Sequence, residues 1–139
     1  MSLWTHVSGI IRIDDFRVMD TPLPDFDSIL GKELNYEDDF EEFYEHPELY
    51  MPGGDEGTLH KSVWVNPTKH SMAAYAVSIF GDLRDGDSPN EIIEWFKKIC
   101  DKVNPRQAVI TAHYGDPKTA VTWVYGSEST RKDKGDYIC

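Results

Sequence analysis

The sequence predicts an α+β fold: a ferredoxin-like βαββαβ arrangement with an extra C-terminal strand, a mostly antiparallel sheet and one main helix over 89–103. Three observations predict it. Ser71 to Val103 reads as a buried strand, a polar loop and a capped amphipathic helix. Four other segments have the length and apolar pattern of strands. Their order is strand, acidic helix-like segment, two strands, helix, two strands.

Leu3 to Ile13 is the first strand, with Leu3, Thr5, Val7, Gly9, Ile11 and Ile13 on one face and Trp4, His6, Ser8, Ile10 and Arg12 on the other. Asp14-Asp15 ends it, and Thr21-Pro22-Leu23-Pro24 is a stiff connector. Phe26, Ile29 and Leu30 give one face of a short helix ending at Gly31; Phe40, Phe43 and Tyr44 give the stripe of a second, stopped by Pro47. Pro52 to Gly57 is a loop. Leu59 to Asn66 alternates, and a turn over Asn66 to His70 joins it as a hairpin to Met72–Phe80, an almost wholly apolar strand that Gly81 is expected to break.

The helix start is marked by Ser88-Pro89-Asn90-Glu91: Ser at the cap, Pro at the first helical position and Glu three residues on. Ile92, Phe96, Ile99 and Val103 form its apolar stripe, widened by Ile93 and Cys100, and Asn104-Pro105 stops it. Gln107 to Tyr114 and Thr119 to Tyr125 are the last strands, joined by a turn at Gly115 to Lys118. Residues 127–139 lack apolar periodicity and are expected to be a flexible tail on a single domain, 1–126. A right-handed crossover through the helix places the strands in the order last, fourth, first, third, second.

The net charge of −11 is not spread evenly. Asp25 to Glu56 holds twelve acidic residues and one basic, Lys32, while the remainder has thirteen of each. A nearly neutral body therefore carries one acidic segment, 25–56. With no basic face, direct binding to nucleic acid or to an anionic membrane is not expected. No apolar run approaches the roughly 18 residues of a membrane span, and the opening residues lack a signal-like basic and apolar block. Two separated cysteines, Cys100 and Cys139, make no metal signature; whether they pair stays open, and a reduced cytoplasmic chain is expected.

Each candidate for chemistry has a plainer reading. The glycine-rich loop 52–57 lacks the Gly-Lys-Ser/Thr of a phosphate cradle, and Asp55 and Glu56 would repel an anion, so it reads as a loop before a strand. Asp82, Asp85 and Asp87 offer oxygen ligands, yet Arg84 sits among them and the spacing is not a calcium loop. His6, His60 and His113 fall on strands and have no helical ligand spacing; their convergence depends on strand register. Cys100 borders the apolar stripe of the helix, as a small core residue does. No cofactor or metal is expected, and no nucleophile or acid–base pair argues for an enzyme.

The acidic segment is more specific. Glu37, Asp38, Asp39, Glu41, Glu42, Glu45 and Glu48 are interleaved with Tyr36, Phe40, Phe43, Tyr44 and Tyr50. Aromatics supply contact area, and carboxylates supply steering and pairing to Arg and Lys. The expected function is a non-enzymatic binding protein for a basic, nucleic-acid-handling partner, with Glu37, Asp38, Asp39, Glu41, Glu42, Phe43, Tyr44 and Glu45 as the contact set. The plainer reading is a solvated face that keeps the chain soluble. The alternative is a small-molecule or nucleotide site, or an enzyme, at His60, Asp82, Arg84 and Asp85. An open sheet edge at Leu59 to Asn66 also permits homo-oligomers through strand pairing.

Met1 to Val7, Pro52 to Leu59, Val77 to Asp85 and Arg106 to Ile110 together resemble a group of small uncharacterised phage and prophage proteins, over roughly residues 1 to 125. The resemblance implies a small accessory protein made in an infected or lysogenic bacterium; inhibition of a host defence or nuclease is an expectation of the acidic-surface reading. The resemblance implies no catalytic residues.

Overall fold

β1 (Trp4–Asp14) pairs along its length with β3 (Ala73–Arg84), and both strands bury one face and turn the other outward. The computed structural model describes residues 2–14, 24–67 and 73–126. Around this pair lie β2 (Leu59–Val65), β4 (Gln107–His113) and β5 (Val121–Val124), in a five-stranded antiparallel sheet of order β2-β3-β1-β4-β5. That is the order expected from the sequence. The fold is a mixed α+β one with a five-stranded antiparallel sheet, and its strand order differs from that of a simple ferredoxin-like fold.

Helix α3 (Pro89–Val103) covers the inner face. Ile92, Ile93, Phe96, Ile99 and Cys100 are buried against Val7, Ile11, Val77, Ile79, Ala108 and Ile110. Burying each of the large side chains contributes about 1.5–3 kcal/mol. The capping box forms as the sequence requires: Ser88 Oγ accepts from the Glu91 N–H at 3.3 Å, and Glu91 Oε1 accepts from the Ser88 N–H at 3.2 Å. Asn104 closes the helix in the left-handed conformation. Burial pushes the Cys100 thiol up to about 12, which leaves it an inert core group. Cys139, the tail and the turn after Pro67 lie outside the described residues.

Between β1 and β2 run α1 (Phe26–Leu30), α2 (Tyr36–Glu45) and a short 3-10 turn, Pro47–Leu49. Phe26 and Leu30 join the core, and Phe26 meets Tyr75 edge-on. No side chain of α2 is buried; its contacts run to the turn after it and to the glycine loop.

One expectation is corrected. Gly81 does not end the central strand; β3 continues to Arg84. A side chain at 81 would lie 2.1 Å from the Thr58 carbonyl oxygen, so glycine is needed there for close approach of the chain entering β2. Asp82 and Arg84 are therefore strand residues, and only Asp85 to Asp87 belong to the loop. The last strand is also shorter than expected, because Pro117–Thr119 forms a 3-10 turn.

Ser88→Ala should lower the unfolding free energy by about 1 kcal/mol in urea without changing the slope, since it removes the cap and leaves the packed face of α3 unchanged.

Candidate functional site

Acidity alone would build α2 poorly, and the sequence compensates locally. Asn35 caps the helix through its side chain on the Glu37 N–H, and Asp39 reaches back to the Asn35 N–H at 3.0 Å. Glu37, Asp38 and Asp39 lie in the first turn, where the helix dipole favours negative charge.

Three aromatic contacts hold the helix to the body. The Tyr36 hydroxyl lies 2.7 Å from the carbonyl oxygens of both Gly54 and Gly57 and accepts from the Gly54 N–H at 3.2 Å. Phe43 meets Tyr50 edge-on at 5.7 Å. Tyr50 in turn donates its hydroxyl to Glu42 at 2.7 Å and lies under Lys32, which also bonds Glu42.

The loop that receives Tyr36 is fixed to the far end of β3: Asp55 N–H donates to the Arg84 carbonyl, and Arg84 N–H donates to that of Glu56. Gly57 has a positive φ of 80° and lies against the Asp82 carbonyl, where a side chain would overlap it. Gly54 and Gly57 thus allow backbone to lie on backbone, while Gly53 leaves room for the Phe43 ring, in the loop read from the sequence.

Of the eight expected contact residues, Glu42 and Phe43 serve the chain's own packing; Asp38 and Asp39 bond Asn35 at the cap. Glu37, Glu41 and Glu45 have no side-chain ion pair or hydrogen bond among the described residues, and Tyr44 is 81% exposed. Phe40, which the sequence placed on an inward stripe, is 60% exposed. At about 100° per residue, Phe40 and Tyr44 form a strip one turn long, and Glu37, Glu41 and Glu45 form the strip beside it.

In the alternative set, His60, Asp82 and Arg84 lie on the outer face of β2 and β3, and Asp85 follows β3. Asp82 bonds His6, and His60 bonds Glu33 at 2.9 Å. Arg84 bonds Glu56 at 2.7 Å and Ser2 Oγ, while Asp85 ties down Leu3 through both its backbone N–H and its carboxylate. Asp87 is pushed above its ordinary range, by burial first and by Glu91 second. Each of His60, Asp82, Arg84 and Asp85 is engaged by its own partner among the described residues. Register does bring His6, His113 and Asp82 together, which the sequence could only pose as a question.

A groove of about 720 Å³ runs between the acidic segment and α3, with Asp27 and Glu48 on one wall and Trp95, Lys98 and Lys102 on the other. Among the described residues, no group of three or more His, Cys, Asp or Glu is arranged to hold a metal, and no helix is long and apolar enough to cross a membrane. Comparison with protein-family models, curated proteins and solved structures finds no match.

The pair Glu42–Tyr50 has a readable titration. The hydrogen bond from Tyr50, and then Lys32, hold the Glu42 carboxyl below its ordinary range. Its contribution is present above that range and is lost as pH falls through the depressed value. The Tyr50 phenol is pushed up from 10.0 to about 12, first by the hydrogen bond to Glu42 and then by burial. Its contribution is intact below pH 10 and is lost as pH rises from 10 to about 12. Tyrosinate absorbance should show one phenol titrating late, absent in Tyr50→Phe and moved back towards the others in Glu42→Gln.

Proposed function

We propose that this chain is a non-enzymatic binding protein whose helix α2 docks on a basic, nucleic-acid-handling protein. The observation that carries the reading is the exposed strip Phe40–Tyr44 beside the carboxylates of Glu37, Glu41 and Glu45. A face that served only solubility would not need two large aromatics in water. Like charges one turn apart also cost about 0.2–0.5 kcal/mol per pair, a cost that a basic partner reverses. Aromatic area with a carboxylate border suits Arg- and Lys-rich surfaces, including grooves that otherwise receive a nucleic-acid backbone.

The same proposal includes a cytoplasmic setting, a phage or prophage context and inhibition of a host defence or nuclease. The resemblance of residues 1 to 125 to small phage proteins supports that context. The kinship of the sheet with ferredoxin-like folds belongs to it too, supported by the order of elements along the chain, and fold alone supplies no function.

The test is capture from bacterial lysate on the native chain and on Phe40→Ala/Tyr44→Ala, at low and moderate salt, followed by titration with the purified retained protein. A basic protein is expected on the native chain, with affinity that falls with salt and drops at least 10-fold in the variant. The same retained set on both baits, or none on either, contradicts the proposal.

A further inference from the structure

The outer face of the sheet, opposite α3, carries His6 on β1 and His113 on β4 as direct cross-strand neighbours. Their ring centroids are 5.0 Å apart, with the planes tilted by 41°. Each ring has one nitrogen already committed. His6 Nδ1 donates to Asp82 Oδ1, on β3, at 2.6 Å. His113 Nδ1 donates to the carbonyl of Tyr114. A carboxylate and a carbonyl only accept, so the proton of each neutral ring is on Nδ1 and each Nε2 keeps its lone pair.

Two adjacent imidazoles in one tautomer, each oriented through Nδ1 by an oxygen acceptor, match the way histidines are held when they ligate metals. We infer that His6 and His113 form a two-nitrogen site for a borderline divalent transition cation, of the class of zinc, copper(II) or nickel(II), with water completing the shell. The donor set argues against magnesium and calcium, which want several oxygens. Asp82 acts here as a positioning residue, since its Oδ1 is taken by His6. The His6 side chain is 37% exposed, so an ion reaches the pair from bulk water. His60 is not part of the pair: it lies on β2 opposite Phe80 and is bonded to Glu33. Because the ligands come from two strands, the ion would tie β1 to β4. The inference does not depend on α2.

The experiment is calorimetric titration of the full chain with zinc alone and with copper(II) alone. One ion per chain is expected. His6→Gln and His113→Gln should each weaken binding at least 10-fold, and Asp82→Asn by about 10-fold through loss of orientation. His46→Gln and His60→Gln should leave it unchanged. In the native chain, zinc should perturb the imidazole proton resonances of two histidines, those missing from the His6→Gln and His113→Gln spectra, and it should raise the melting temperature. The native-chain spectra keep the test valid even if a variant folds poorly. Absence of saturable binding, binding that survives in His6→Gln/His113→Gln, or perturbation of other histidines would overturn the inference.

Discussion

The β1–β3 ladder extends past Gly81 to the pair Trp4–Arg84, and the rest of the structure depends on that extension. If the strand stopped at Phe80, the loop 54–57 would have no backbone to bond. Arg84 exchanges main-chain hydrogen bonds with Asp55 and Glu56. That loop presents the carbonyls that receive Tyr36, and Tyr36 fixes the start of the acidic helix. Asp85, the first residue after β3, fastens the N-terminal residues through Leu3. A glycine that permits close approach at one position thus determines where the charged segment stands.

The negative charge is divided into two kinds. Glu42, Asp38 and Asp39 are committed to Tyr50, Lys32 and the helix cap, and the fold uses them. Glu37, Glu41 and Glu45 make no such contacts among the described residues and border two exposed rings. The division separates what holds α2 in place from what α2 would present to the proposed partner. The outer sheet face has a different chemistry. It carries serine, threonine and scattered apolar groups, with Trp64 and Phe80 about half exposed, and imidazoles at one end.

Much of the fold was legible because local signals agreed. Ser88, Pro89 and Glu91 marked a helix start, and the stripe from Ile92 to Val103 gave its buried face. The strand order followed from the element order and the handedness of crossovers. Gly81 misled because a glycine that ends a strand and one that admits a neighbouring carbonyl look alike in sequence. Within α2 the composition was visible, but the rotation of the helix was not. Phe40, Phe43 and Tyr44 have similar apolar character, and only the positions of Tyr50 and Gly53 decide that Phe43 faces in. The pairing of His6 with His113 and Asp82 needed the register of three strands, to which no short sequence window is sensitive.

Phe40 and Tyr44 stand in water, whereas Phe43 packs on Tyr50. Urea unfolding of Phe40→Ala/Tyr44→Ala beside Phe43→Ala tests that contrast most directly. The double variant should stay within about 0.5 kcal/mol per site of the native chain, the range of ordinary surface changes. Phe43→Ala, which removes a half-buried ring from Tyr50, should lose about 1 kcal/mol or more. A large loss in the double variant, with little in Phe43→Ala, would show instead that the exposed strip is structural.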